Sequence, residues 1–185
     1  MNFNKHFEIE GKHAFLSPSQ YHWINYDETR LMNSFSNFKA KERGTRLHEF
    51  AKECIELGIR LPKSKKTLNM YVNDAIGFKM TPEQPLFFSK NCFGTADTIS
   101  FKGNLLRIHD LKSGATPASM NQLLVYTALF CLEYEFDPKD IDAELRIYQS
   151  DEVLIHNPCC DEIAPIMDKI ILFDKLIEQM KDEKE

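Results

Sequence analysis

Gly94-Thr95-Ala96-Asp97-Thr98-Ile99-Ser100-Phe101-Lys102-Gly103-Asn104-Leu105-Leu106-Arg107-Ile108-His109-Asp110-Leu111-Lys112 is the stretch on which the reading of this chain turns. It alternates apolar and polar residues on both sides of Gly103-Asn104. A Gly-Asn pair supplies the positive φ angles that a two-residue hairpin turn demands. The turn sets Lys102 opposite Leu105, and the register then places Phe101 opposite Leu106, Ile99 opposite Ile108 and Asp97 opposite Asp110. Asp97, Ile99, Phe101, Leu106, Ile108 and Asp110 share one face with Lys112. Thr98, Ser100, Arg107 and His109 occupy the other.

Two carboxylates directly across a ladder hold their Cβ atoms about 5 Å apart and repel each other. A cation between them removes that cost. Oxygen ligands with few thiolates suit magnesium or manganese better than zinc. The competing interpretation is purely structural: Asp97 ends a strand, Asp110 begins a turn, and Lys112 pairs with them from solvent.

A chain of 185 residues with 43% hydrophobic and 28% charged composition is ordinary for a globular protein and long enough for one domain with a real core. The expectation is a single domain over residues 1–185. No run approaches eighteen apolar residues, and Met1-Asn2-Phe3-Asn4-Lys5-His6 lacks the basic-then-apolar layout of a secretory leader, so a cytoplasmic protein is expected. Five cysteines (Cys54, Cys92, Cys131, Cys159, Cys160) without C-x-x-C spacing indicate neither a disulfide framework nor a zinc knuckle.

The net charge of −5 argues against indiscriminate polyanion binding over the whole surface. Charge is uneven, however: Lys39 to Lys66 carries nine basic residues against four acidic ones, while the acidic excess lies from Glu133 onward. Any nucleic-acid contact is therefore expected in the first third. A merely solubilising basic helix is the alternative.

Along the chain, Ser17-Pro18-Ser19 opens a short helix through Tyr21, Trp23 and Ile24. Leu47, Phe50, Ala51, Cys54 and Ile55 recur at helical steps between Thr45 and Leu57, with Gly58 as the stop. A short helix or irregular piece follows over Asn69 to Gly77. Pro82 and Pro85 break the chain before a strand at Pro85 to Ser89, which leads into the hairpin. Thr116 as cap and Pro117 in the first turn start a long helix reaching Glu135. Strands at Ala143 to Gln149 and Glu152 to His156 precede a last helix over Ile163 to Met180. This order describes an α/β (mixed α+β) fold, a central mixed sheet flanked by helices.

His48 lies at the edge of its helix's apolar stripe, where a partly buried core histidine is the common outcome. Gln122 and Tyr126, four apart, share one helix face, and alone they read as an ordinary hydrogen-bonded pair. Taken together with the hairpin, Gly44-Thr45-Arg46-Leu47-His48, Gly94-Thr95-Ala96-Asp97, Asp110-Leu111-Lys112 and Gln122-Leu123-Leu124-Val125-Tyr126 form an ordered set. That set resembles the motifs of the PD-(D/E)xK nuclease superfamily, in the branch of RecB-type nuclease domains, lambda exonuclease and CRISPR-associated exonucleases. The likeness spans about Leu16 to Tyr148.

The resemblance implies a restriction-endonuclease-like core and a metal-dependent deoxyribonuclease, an exonuclease of phage-type recombination or DNA processing. It implies that His48, Asp97, Asp110 and the backbone carbonyl of Leu111 bind Mg2+ or Mn2+. Lys112 would orient or activate water, and Gln122 and Tyr126 would position the site. The CRISPR-associated relatives hold an iron–sulfur cluster through one early and three late cysteines. Here Cys159 and Cys160 are adjacent and no spaced late trio exists, so no iron–sulfur cluster is expected. DNA is the implied partner, with a single-strand annealing protein and a homo-oligomer as further expectations. The alternative is a DNA-binding or anti-defence protein that has kept the fold and lost catalysis.

Overall fold

Residues 14–182 are described by the computed structural model. Their regular elements are α1 (Glu28–Glu56), α2 (Thr67–Gly77), β1 (Thr81–Ser89), β2 (Cys92–Lys102), β3 (Leu105–Leu111), α3 (Asn121–Glu133), β4 (Asp142–Gln149), β5 (Glu152–His156) and α4 (Cys160–Asp182), preceded by a 3₁₀-helix over Pro18–Asn25. The five strands form one sheet in the order β1-β2-β3-β4-β5. Every neighbouring pair is antiparallel except β3 and β4, which are parallel. A parallel pair needs a crossover, and α3 provides it. The expected mixed sheet with flanking helices is therefore present.

Chain contacts separate residues up to Thr45 from a larger unit beginning at Arg46. In the first unit, Trp23 donates its indole N–H to the Ser17 carbonyl (2.9 Å), and Phe15 packs edge-on to Phe35 at 5.2 Å between ring centres. Asp27 accepts the Arg30 N–H at 2.7 Å. That side-chain cap starts α1 at Glu28, well ahead of the expected start near Thr45. The other end of α1 closes as expected at Gly58, whose φ of 68° lets Ile59 N–H reach back to the Cys54 carbonyl at 2.8 Å.

In the larger unit the sheet separates two apolar layers. On one face Leu106, Ile108, Ile99, Leu145 and Ile147 pack with Leu123, Ala128 and Leu129 of α3 and Ile163 of α4. On the other, Leu111 and Tyr148 pack with Tyr71, Val72 and Ala75 of α2 and with Ala51, Cys54 and Ile55 of α1. Most of these side chains are under 5% exposed, so each layer contributes burial energy on its own side of the sheet.

The hairpin register is the expected one from Lys102↔Leu105 to Ile99↔Ile108. Gly103 alone takes a positive φ, 59°, the pattern of a turn with glycine in its first central position. The ladder ends at Thr98↔His109. Asp97 and Asp110 are thus not a ladder pair: the strands part there, and the Leu111 N–H turns to the Asp97 carboxylate at 2.8 Å.

Two further expected boundaries shift. The first strand runs from Thr81 and carries both Pro82 and Pro85 inside it, which an edge strand tolerates because its outer N–H groups need no ladder partner. The helix expected from Thr116 starts only at Asn121. Gln149 captures the preceding loop instead, accepting the Ala118 N–H (3.0 Å) and donating to the Thr116 carbonyl (2.8 Å).

Candidate metal centre

Where β2 and β3 part, side chains from four elements converge. His48 comes from α1, at the edge of the layer built by Ala51, Cys54 and Ile55, and its Nδ1 stands 3.5 Å from Asp97 Oδ2. Glu83 comes from β1. The ligand atoms of His48, Glu83 and Asp97 all lie within 4.8 Å of one another, and all three residues are half-buried. Glu83 was not foreseen from the sequence, since the prolines around it read as a chain break. Its signal lies in register: Pro82 pairs with Thr98 and Gln84 with Ala96, so Glu83 stands across from Asp97.

The backbone is bent to make this possible. Glu83 has φ 49°, a left-handed conformation that few non-glycine residues adopt and that costs on the order of 1–3 kcal/mol. Across from it, strict alternation fails: Ala96 and Ile99, three positions apart, pack into the same apolar layer. The paired distortion turns both carboxylates toward His48.

Asp110 lies next to this group without belonging to it. Its side chain is only 3% exposed, and Lys112 Nζ stands 3.1 Å from Oδ1 and 3.0 Å from Oδ2. The bond to Oδ1 is aligned; Oδ2, although close to the ammonium, makes no aligned hydrogen bond among the described residues. Burial, then the neighbouring Asp97 charge, push the Asp110 pKa up, against the pull of Lys112. The Asp97 carboxylate raises the His48 pKa, with burial opposing it.

Lys112 is held from a second side. It donates to Gln122 Oε1 at 2.9 Å; Gln122 Nε2 lies 3.4 Å from Tyr126 Oη; and Tyr126 donates to the Thr95 carbonyl at 2.7 Å. The sequence supports this locally. A Cβ at position 94 would lie 3.0 Å from Tyr126 Cε1, so Gly94 lets the ring close on β2. Two bonded chains result, one joining His48, Asp97 and Leu111, the other joining Asp110, Lys112, Gln122, Tyr126 and Thr95.

All of the side chains singled out in the sequence are accounted for in these two chains. Leu111 takes part through its N–H, which places its peptide beside the Asp97 carboxylate. Chemically, three carboxylates face one ammonium and one imidazole in a partly enclosed corner. Such a set can bind a hard divalent cation and can present Lys112 to an anionic group. No helix among the described residues is long and apolar enough to cross a membrane. The chain matches no family model, no curated protein and no solved structure.

Proposed function

We propose that the protein is a Mg2+- or Mn2+-dependent DNA nuclease that hydrolyses phosphodiester bonds, a reading in keeping with its resemblance to PD-(D/E)xK nucleases. The observation that carries it is the meeting of His48, Glu83 and Asp97 within 4.8 Å, beside an Asp110–Lys112 pair fixed by Gln122. The donor chemistry fits the ion: oxygens predominate, no thiolate takes part, and Asp110 Oδ2 is buried without an aligned partner. His48, Glu83 and Asp97 would hold the ion, with Asp110 and the Leu111 carbonyl as further donors. A divalent cation there supplies neutralisation of phosphate charge and a more acidic water.

The protein's own groups do the rest. Asp110 and Gln122 hold the Lys112 ammonium at two points, so its charge and its protons are positioned before a substrate arrives. Tyr126 fixes Gln122 and anchors the helix to β2 through Thr95. Arg60, Lys63 and Lys65, exposed in the segment before α2, offer charge for a phosphate backbone. A cytoplasmic setting, and an annealing-protein partner, belong to the same reading.

The test is incubation of the purified protein with linear and circular DNA, with Mg2+ or Mn2+ and with chelator. Cleavage that needs the ion is expected, together with a loss of at least about 100-fold in Lys112→Ala at nearly unchanged DNA binding. No cleavage with either ion, or full activity in Lys112→Ala, contradicts the proposal.

A further inference from the structure

We infer that Phe87 and Phe93 form a stacking platform for unpaired nucleobases, so that the strand presented to the candidate metal centre is single-stranded where it crosses β1 and β2. This rests on the nuclease reading and specifies its substrate.

The two rings are direct partners across the β1–β2 ladder. Their centres are 6.3 Å apart and their planes 29° from parallel, yet Phe87 is 50% and Phe93 67% exposed. Leu86, fully buried, and Gly94, closed by Tyr126, face α3; Phe87 and Phe93 therefore turn to the opposite face. Going toward the centre on that face, the next pair is Pro85↔Thr95, and then Glu83 and Asp97. The side chains on that face carry no charge until the carboxylates are reached, while at the outer edge of β1 the Glu133 carboxylate accepts the Phe87 N–H at 2.8 Å. Four residues of strand amount to about 13 Å, close to four stacked nucleotide steps at about 3.4 Å each. Lys90 is exposed in the turn beyond the rings, where its neighbours Ser89 and Asn91 are bonded to Asp174 and Asn91 also to Glu178.

Two exposed phenylalanines on an edge ribbon are a hazard for self-pairing, and a cross-strand contact by itself yields no more than about 1 kcal/mol. Flat faces left open to water are what base stacking uses, without regard to sequence. The rings sit where a strand with its phosphate at Glu83 and Asp97 would lay its neighbouring bases.

The test uses the full-length chain and single-stranded oligonucleotides carrying one 2-aminopurine, whose fluorescence is quenched on stacking. With chelator and with Mg2+, quenching by the wild type is expected to depend on the position of the probe, greatest about four nucleotides from the scissile bond. Phe87→Ala/Phe93→Ala should bind single strands about 10-fold more weakly, raise KM with kcat little changed, and lose the quench. Phe87→Leu/Phe93→Leu should behave as the alanine pair, and Phe87→Trp/Phe93→Trp should restore quench and affinity. A wild type that cleaves DNA, with alanine variants equal to it in KM and quench, overturns the platform and leaves the nuclease reading standing. Absence of cleavage with a ring-dependent quench overturns the nuclease reading and supports the platform. Loss of self-association in the alanine pair, with DNA binding intact, assigns the rings to a second copy of the chain and overturns the platform.

Discussion

His109 and Asp110 are adjacent, yet they belong to two polar clusters with opposite fates. Asp110 lies beside Glu83, Asp97 and His48 and pairs with Lys112, in a corner where acidic groups outnumber basic ones. His109 joins the cluster under α2. There Tyr148 donates to Asp74 at 2.7 Å, Arg146 bridges Asp74 (3.0 Å) and Glu144 (3.1 Å), and Arg107 pairs with Glu144 at 3.0 Å. Phe78 packs against both guanidinium groups, 4.4 and 4.9 Å from its ring centre. Two carboxylates meet two guanidinium groups, and the charge closes on itself.

The two histidines record the difference. Among carboxylates, His48 has its pKa raised. His109, fully buried and facing Arg146 and Arg107, has its pKa lowered to about 3. Since Tyr148 has one proton and gives it to Asp74, its oxygen accepts from His109 Nδ1 at 3.3 Å, which sets the neutral tautomer. Balanced charge beneath the sheet is the mark of a structural cluster. Unbalanced charge at the strand ends is what the proposed cation would relieve.

Breaking the balanced cluster should have the largest effect on stability. Arg146→Ala strands Asp74 and Glu144 and removes a stacked guanidinium from Phe78, so we expect a loss of about 3 kcal/mol in denaturant unfolding. A change within about 0.5 kcal/mol would show that the network is ornamental to the fold. Next is pH. The folded pKa of His109 is depressed, so its contribution is complete above the unfolded value of 6.5 and is lost as pH falls toward about 3. Between pH 7.5 and pH 5 this predicts a loss of about 2 kcal/mol that is absent in His109→Phe. Parallel pH curves for the two proteins would contradict it.

The contrast also explains how far the sequence could be read. The hairpin register was legible because a two-residue turn fixes it locally, as Lys102↔Leu105 through Ile99↔Ile108 show. Asp97, Asp110 and Lys112 could be singled out because their placement along the hairpin is local, whereas Gln122 and Tyr126, by spacing alone an ordinary pair, stood out only through the resemblance of the ordered motif set. The failures were non-local. The start of α3 depends on Gln149, more than thirty positions away from the loop it holds. Glu83 enters the site only through pairing of β1 with β2, between prolines that locally argue against a strand. The parting of β2 and β3 at Asp97 is a matter of side chain replacing backbone at the Leu111 N–H, which alternation alone cannot reveal.

The central claim is that the unbalanced cluster is completed by a divalent cation, and thermal unfolding with added Mn2+ or Mg2+ tests it most directly. A ligand that binds only the folded chain raises its stability. We expect millimolar cation to raise the melting temperature of the wild type by a few degrees, equivalent to about 1 kcal/mol. Glu83→Gln should melt at least as high as the wild type without the ion and gain little when it is added. Equal melting temperatures for the wild type with and without cation would contradict the account.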